Sequence, residues 1–426
     1  MKSSRATYNL AAVSALAREV AINTEQSLDT SLMLDLSDIA QLEPRRENNA
    51  DEANGLEEPD TIYDLGNTAA MSMNFNKAQP QHFAFVMSYG LGAVTTAAAG
   101  AGYEHTITPI DGDLAVNCSN PSFTLAQRLG KTILKRLFAT MVVDSFAATF
   151  AKGDWVKLAA SLKGTGKYTD SIVEETVNAQ KDAVTLNLAA NGVEGSTAPE
   201  RLGNIHQIKV ELAPGQWTEV AFSAVSAATP AVITITAPGA TTDLVNYKIL
   251  YAPTETAAWM TFPARVVESA MRVAQMNLVV GGAWTGAAFV GGRAINSDLN
   301  QIEYNCNNSM QIEFVPGAGD AYASSAIRDG RAQAISLSRE FRDFILQNYI
   351  KTNDYFGLHL ICQGAEFDAG HNYQVELIFP KLGILKAPLS VNGKRLAEAG
   401  DLTVLEDATY GSVIVKVKNL VATYAA

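Results

Sequence analysis

Metal or proton-transfer chemistry would start from the five histidines, His82, His105, His206, His359 and His371. None stands in HxxxH, HExxH or HxH spacing, so no pair is set to share an ion from one face of a helix or strand. His359 lies near Cys362 in an alternating apolar stretch. A Cys–His nucleophile also needs an orienting third group and a cleft, so the pair reads more simply as two strand residues. The three cysteines, Cys118, Cys306 and Cys362, are far apart and form no CxxC. That argues against a zinc ribbon or a disulfide framework and for a reducing compartment.

Phosphate chemistry fares no better. Gly130-Lys131-Thr132 has the ending of a phosphate-binding loop, but Leu125 stands where the first glycine is required. In Gly164-Thr165-Gly166-Lys167 the following Ser or Thr is replaced by Tyr168. Gly90-Leu91-Gly92 has a dinucleotide-loop look, yet it follows an expected helix instead of opening one. No GxSxG elbow occurs, and the scattered carboxylates define no acid/base pair. The tryptophans Trp155, Trp217, Trp259 and Trp284 fall at strand starts or turns, as subunit-contact anchors or core corners do. No cofactor, no metal and no enzymatic activity are therefore expected.

The elements that carry these residues are mostly strands. Residues 9–22 suggest a short amphipathic helix, and 24–39 an extended arm. Glu43 to Asp60 holds seven acids and two bases (2 − 7 = −5) and reads as a solvated loop or as an arm that orders against a partner subunit. Ala70, Met71, Met73 and Phe75 belong to a short strand. Pro80 then opens a helix and Gly90 closes it, with Phe83, Val86 and Met87 on its inner face. Gly90 to Gly102 reads as a Gly/Ala-rich loop. Long β-rich segments follow, and in the last Val156, Leu158, Ala160 and Leu162 oppose Lys157, Ser161 and Lys163, the alternation of a half-buried strand. Five short strand-like runs between about 170 and 260, with turns at Pro214-Gly215 and Pro238-Gly239, indicate a small inserted β-sandwich. Beyond it, Ile335 and Leu337 share a strand face, and Phe341, Phe344, Ile345 and Tyr349 have helical spacing. The order strand, helix, long strands thus appears at about 70–165 and again at about 300–420, a repeat of pattern without repeat of sequence.

Composition agrees with such an architecture. The chain has 426 residues, 47% hydrophobic and 18% charged, with a net charge of −12. That is enough chain for real cores, and it excludes wholesale disorder and a generally basic nucleic-acid binder. No apolar run reaches the length of a membrane span, and Arg18 and Glu19 interrupt the apolar patch that a signal peptide would need.

Several segments resemble the tail tube proteins of long-tailed (siphovirus-type) bacteriophages. They are "ENNADEANGLEEPDTIYDLG", "HTITP", "PSFTLAQRLG", the long hairpin "LFATMVVDSFAATFAKGDWVKLAASLKGTGK", and "IEYNCNNSMQIEFVPG", "GRAQAISLSREFRD", "VELIFPKLGIL" and "SVIVKVKN". The likeness covers about 61–167 and 262–426. The resemblance implies a tail-tube-type antiparallel β-sandwich/barrel with flanking helices; with the repeat of pattern and the run of short strands, which lies outside the likeness, the expected fold is mainly β, duplicated, and carries an inserted small β-sandwich. The expected divisions are 1–60 (arm and acidic loop), 61–169 (first tube-like half), 170–261 (exterior sandwich, with surface glycans as a candidate contact) and 262–426 (second half).

The resemblance further implies copies joined edge to edge into rings, and rings stacked into a tube that passes double-stranded DNA without reading its sequence. The ring would hold three chains with pseudo-sixfold symmetry, or six. Tail terminator, tape measure and baseplate proteins would be partners, with the virion tail, assembled in the host cytoplasm, as the location. A tail terminator or baseplate hub ring is the alternative. A lumen that lets DNA slide should be neutral or acidic. Asp144, Glu303, Glu313 and Glu376 are the lumen-facing candidates, with outer surface as the plainer reading. Glu43, Arg45, Arg46, Glu47, Asp51 and Glu52 are candidates for contact between rings.

Overall fold

A computed structural model describes residues 9–53, 55, 57–110, 119–129, 134–254, 258–317 and 321–425. Cys118 and Gly130-Lys131-Thr132 lie outside these residues. The protein is mainly β, and its sheets pair antiparallel. Packing divides the chain into two units. One comprises Met1–Ala11, Ala126–Leu137 and Tyr168–Phe262, the other Ala12–Leu125, Phe138–Lys167 and Pro263–Ala426.

Within the first unit, a four-stranded sheet holds the strands Val173–Gln180, Leu244–Tyr251, Ile205–Ala213 and Gln216–Glu219 in that order. A three-stranded sheet holds Thr185–Asn187, Val232–Ile235 and Phe222–Val225. Alternate residues of both, among them Leu186, Ile208, Val210, Ile233, Tyr247 and Ile249, meet in one core. Two sheets sharing one apolar layer make a small sandwich.

The second unit is built on nine elements: β1 (Gln41–Asn48), β2 (Ile62–Phe75), α1 (Pro80–Leu91), β3 (Leu134–Ala151), β4 (Lys157–Gly164), β5 (Leu299–Asn307), β6 (Ala332–Glu340), β7 (His371–Lys386) and β8 (Arg395–Val404). Pairing runs β1–β2–β4–β3–β5–β6–β8. An eighth position beside β8 is filled end to end by Leu382–Lys386 of β7 and by the strand Leu389–Asn392. Pro388 stands at the break, where a ladder N–H is not needed. The inward row Phe75, Leu158, Ala148, Tyr304, Ile335 and Leu402 crosses this eight-strand sheet and is buried throughout.

The other end of β7 enters a second sheet, in the order Phe289–Ala294, Met276–Trp284, Phe356–Asp368, β7, Ile414–Asn419, Gly102–Pro109, Gly92–Ala99. Tyr304 of β5 meets Phe379 of β7 edge-on at 5.0 Å. All residues of α1 are buried. A Cβ at Gly90 would meet the Phe146 ring at 2.7 Å, so only glycine lets the helix approach β3 this closely.

Five expectations from the sequence need correction. Residues 9–22 are not a helix. Asn9–Val13 is a strand, and the Asp29 carboxylate accepts the N–H groups of Ala15 and Leu16 beyond it. Helix propensity loses here to tertiary hydrogen bonds. Glu43 to Asp60 is no loop in its first part, because β1 pairs with β2 as far as Asn48 with Ile62. Asn49 ties the turn, accepting the N–H of Asp60 at 3.1 Å and of Thr61 at 3.2 Å. A ribbon exposed on both faces has no apolar alternation to betray it. The Gly/Ala-rich stretch after α1 is the strand Gly92–Ala99, whose small residues pair with Gly102–Pro109. The short strand at 70–75 is the end of the 14-residue β2. The second helix is also shorter than its spacing suggested: it spans Ile345–Thr352, and Phe341 and Phe344 precede it.

Candidate functional site

The outward face of the eight-strand sheet is the most distinctive surface of the second unit. Pleating alone puts alternate residues of each strand there. One row across the sheet reads Asn74, Ala159, Ala147, Asn305, Ala334, Thr403, Gly383. The next reads Ser72, Ser161, Ser145, Asn307, Ala332. A third reads Lys157, Thr149, Glu303, Ser336, Asp401, Lys386. The first two rows are paved with short, uncharged side chains, and a shallow groove of about 450 Å³ runs along the middle of the face between Asn74, Ser145, Asn305 and Ala334.

Charges on this face are few and balanced. Lys157 meets Asp154 at 2.6 Å, Lys163 meets Asp144 at 3.2 Å, and Lys386 meets Asp401 at 2.9 Å. Arg395 meets Glu340 at 2.6 Å. The Lys157 hydrogen bond, with the Trp155 N–H, holds the Asp154 carboxyl below its ordinary range. Arg342 and Arg395 do the same for Glu340.

The four lumen candidates separate. Glu303 lies on this face and accepts hydrogen bonds from Thr149 Oγ1 at 3.2 Å and Asn305 Nδ2 at 2.9 Å. Asp144 stands at a bulge of β3, where its carboxylate binds Lys163 and accepts the Met310 N–H at 2.7 Å. Glu313 ends a separate two-stranded hairpin with Ser325–Arg328 and lines a recess with Arg45, Thr68 and Phe314. Glu376 is on the second sheet, beside Ile361 and Lys416. Burial pushes its carboxyl up, but the His359 hydrogen bond at 2.8 Å and the charges of His359, Lys416 and Lys418 outweigh this and leave it low.

The arm candidates are gathered on the projecting β1–β2 hairpin. Glu43 and Glu47 are exposed on β1, and Asp51 and Glu52 sit at the turn. Glu52 accepts the Tyr63 hydroxyl at 2.7 Å. Arg46 pairs with Asp64 at 3.6 Å, and the Arg45 guanidinium lies 4.7 Å over the Phe314 ring. Ile62, Tyr63 and Leu65 are exposed on the same ribbon. At the opposite margin of the sheet, Leu385, Leu389, Val391 and Leu396 are exposed, Val391 to 71%. Sequence reading passed over this apolar margin, because four separated residues in polar company make no run.

The chemistry weighed at the start does not come together. His359 faces Glu376, whereas the Cys362 thiol is buried, donates to the Arg272 carbonyl at 3.4 Å and is pushed up to about 12. A Cβ at Gly166 would meet the Asn67 carbonyl, so the Gly164–Lys167 turn is packed against backbone and cradles no phosphate. No group of three metal-ligating side chains occurs among the described residues. No helix among them is long and apolar enough to cross a membrane. No protein-family model matches this sequence, and no curated protein matches it.

Proposed function

We propose that this chain is a self-assembling structural protein of the tail-tube type, with the eight-strand face lining a bore for double-stranded DNA. The observation that carries the reading is the order of the eight strands. β1, β2, β4, β3 form one group of four and β5, β6, β8 and the eighth position form another. Both groups run first, second, fourth, third in chain order. A helix follows the second strand in each, at the same offset: Phe75 to Pro80 (80 − 75 = 5) and Glu340 to Ile345 (345 − 340 = 5). This is the arrangement expected of a duplicated half.

Inside the molecule the two groups join where Ser145–Ala151 of β3 pairs with Gln301–Asn307 of β5. The equivalent strands at the outer margins, β1 and Gly383–Asn392, have no further strand beside them among the described residues. Unpaired margins of this length invite a second chain. Joining the eighth position of one copy to β1 of the next would repeat the internal junction between copies. The apolar Leu389 and Val391 would then be covered.

Three copies would supply about 24 strands. At about 4.8 Å per strand, the circumference is about 115 Å and the backbone diameter about 37 Å. Short side chains then leave room for a duplex roughly 20 Å wide. Six copies would close a far wider ring, so we favour three. A nearly neutral lining suits transit, since counterion release on a basic surface would hold the polyanion. The hairpin tip, with Asp51 and Glu52, would reach the next ring, and the small sandwich would sit outside. Terminator, tape measure and baseplate proteins would meet the tube ends and bore in the virion tail.

Negative-stain microscopy of the purified chain tests the proposal. Hollow tubes are expected, and deletion of 43–60 should leave folded protein that forms none. A monomer at all concentrations would overturn the reading.

A further inference from the structure

Exposed ion pairs contribute little to stability. Yet four cations on or beside the eight-strand face are each in contact with a carboxylate. Lys157, Lys163, Arg395 and Lys386 lie 2.6 Å, 3.2 Å, 2.6 Å and 2.9 Å from Asp154, Asp144, Glu340 and Asp401. These cations are accessible, with side chains between 40% and 75% exposed. Lys381, at the margin, lies 4.7 Å over the Tyr355 ring. The carboxylates come from different places: a turn before β4, a bulge of β3, the end of β6 and the middle of β8. Each is nonetheless next to a cation, so pairing on this face recurs in unlike local settings.

We propose that Asp154, Asp144, Glu340 and Asp401 silence the cations of this face toward a passing polyanion. This rests on the tube reading and adds which residues set the DNA indifference of the lining. Without the carboxylates, each copy would present up to four cations along a polar groove. Each could displace a counterion from the duplex, and the contacts would add from copy to copy. With them, each of these four cations is already neutralised, and Glu303 adds a carboxylate that accepts hydrogen bonds from neutral Thr149 and Asn305. The carboxylates are positioning groups for charge and touch no substrate.

The test uses the full chain and a short linear DNA duplex of mixed sequence, with binding followed by fluorescence anisotropy across a salt series. The variant carries Asp154→Asn, Glu340→Gln and Asp401→Asn. Asp144 is spared because it also accepts the Met310 N–H. The variant should bind about tenfold more tightly at low salt, with a log–log salt slope more negative by about 2.7, or about 0.9 for each of three freed cations. A second variant, adding Lys157→Gln, Arg395→Gln and Lys386→Gln, removes both members of each pair and should return to the parent's affinity and slope. Unchanged affinity and slope in a first variant with the parent's melting temperature would overturn the proposal, as would tight binding by the second variant. Failure of the tube reading looks different: microscopy would find no bore, while the first variant still gained DNA affinity.

Discussion

The two sheets of the second unit share a core but differ on their outer faces. The eight-strand sheet turns out Ser, Ala, Asn and Thr, with few charges, and Lys157, Lys163, Lys386 and Arg395 are each paired with a carboxylate. The second sheet turns out longer groups: His359 with Glu376, Glu104 between Lys416 and Lys418, and Lys416 at 5.3 Å over the Trp284 ring. Both inner faces are mostly apolar, so burial does not distinguish them. On the proposed reading, the difference lies in what each face meets. Short neutral side chains suit a surface that something large must pass without adhering. Long charged and aromatic groups suit one that is fixed in solvent or against protein.

That contrast can be broken most severely at the sheet margin. Leu389→Asp with Val391→Asp should abolish tubes while leaving the melting temperature near the parent's, since both side chains are already in solvent. Persistent tubes on micrographs would remove the margin from the interface.

Beneath the eight-strand sheet, the logic of charge reverses. Arg339 and Glu398 are fully buried and bonded at 2.7 Å, with Asp343 as the second acid on Arg339 at 3.0 Å. Arg339→Met would strand a buried carboxylate, at a cost of about 3–5 kcal/mol in chemical denaturation. A cost below 1 kcal/mol would mean that the pair is as dispensable as those outside.

Glu19 gives an effect of similar or smaller size that depends on pH. Burial pushes its carboxyl from 4.5 to about 7, against hydrogen bonds from Ser122, Thr140 and Thr24. The folded state therefore holds this proton more tightly than the unfolded chain. Its stabilising contribution is complete below about pH 4.5 and is lost as pH rises through about 7. Full loss amounts to about 3 kcal/mol at 1.36 kcal/mol per pH unit. Glu268, also raised to about 7 by burial, adds a fall of the same sign. Denaturation midpoints should drop as pH rises from about 4.5 to about 7, and Glu19→Gln should flatten part of that drop. A parent with pH-independent midpoints in this range would contradict both.

Lysine scanning sharpens the comparison of the outer faces themselves. Ala159→Lys or Ala334→Lys should slow DNA release from assembled particles severalfold without stopping assembly, whereas Thr106→Lys on the second sheet should not. Equal rates would take the bore away from the eight-strand face. The smallest effect is expected for Glu376→Gln, which loses the His359 pair on the second sheet. About 1 kcal/mol of stability should go, with DNA affinity and tubes unchanged.

Much of the local structure was legible in the residues. Alternation in 156–163 marked β4 and which of its side chains point out, and Pro80 with Gly90 bracketed α1 to within a residue. Where the apolar signal was missing, legibility failed. The β1–β2 ribbon is exposed on both faces, and Gly92–Ala99 is made of residues with little strand preference. Of the four acids singled out, only Glu303 lies within the rows of the eight-strand face with neutral partners, because a carboxylate's sheet and salt-bridge partner depend on strands distant in sequence.

The sequence by itself determined the mainly β character, the core-facing residues of its long strands and the scarcity of charge, since pleat period and burial act along a single strand. Only the tertiary structure decided that β3 lies beside β5, that eight strands form one face, and that Lys157, Lys163 and Lys386 each find an aspartate. The β3–β5 junction rests on contacts between residues more than a hundred positions apart, such as Ser145 with Asn307. No periodicity along the chain encodes which strand will be a neighbour; the common core that both strands must cover selects it.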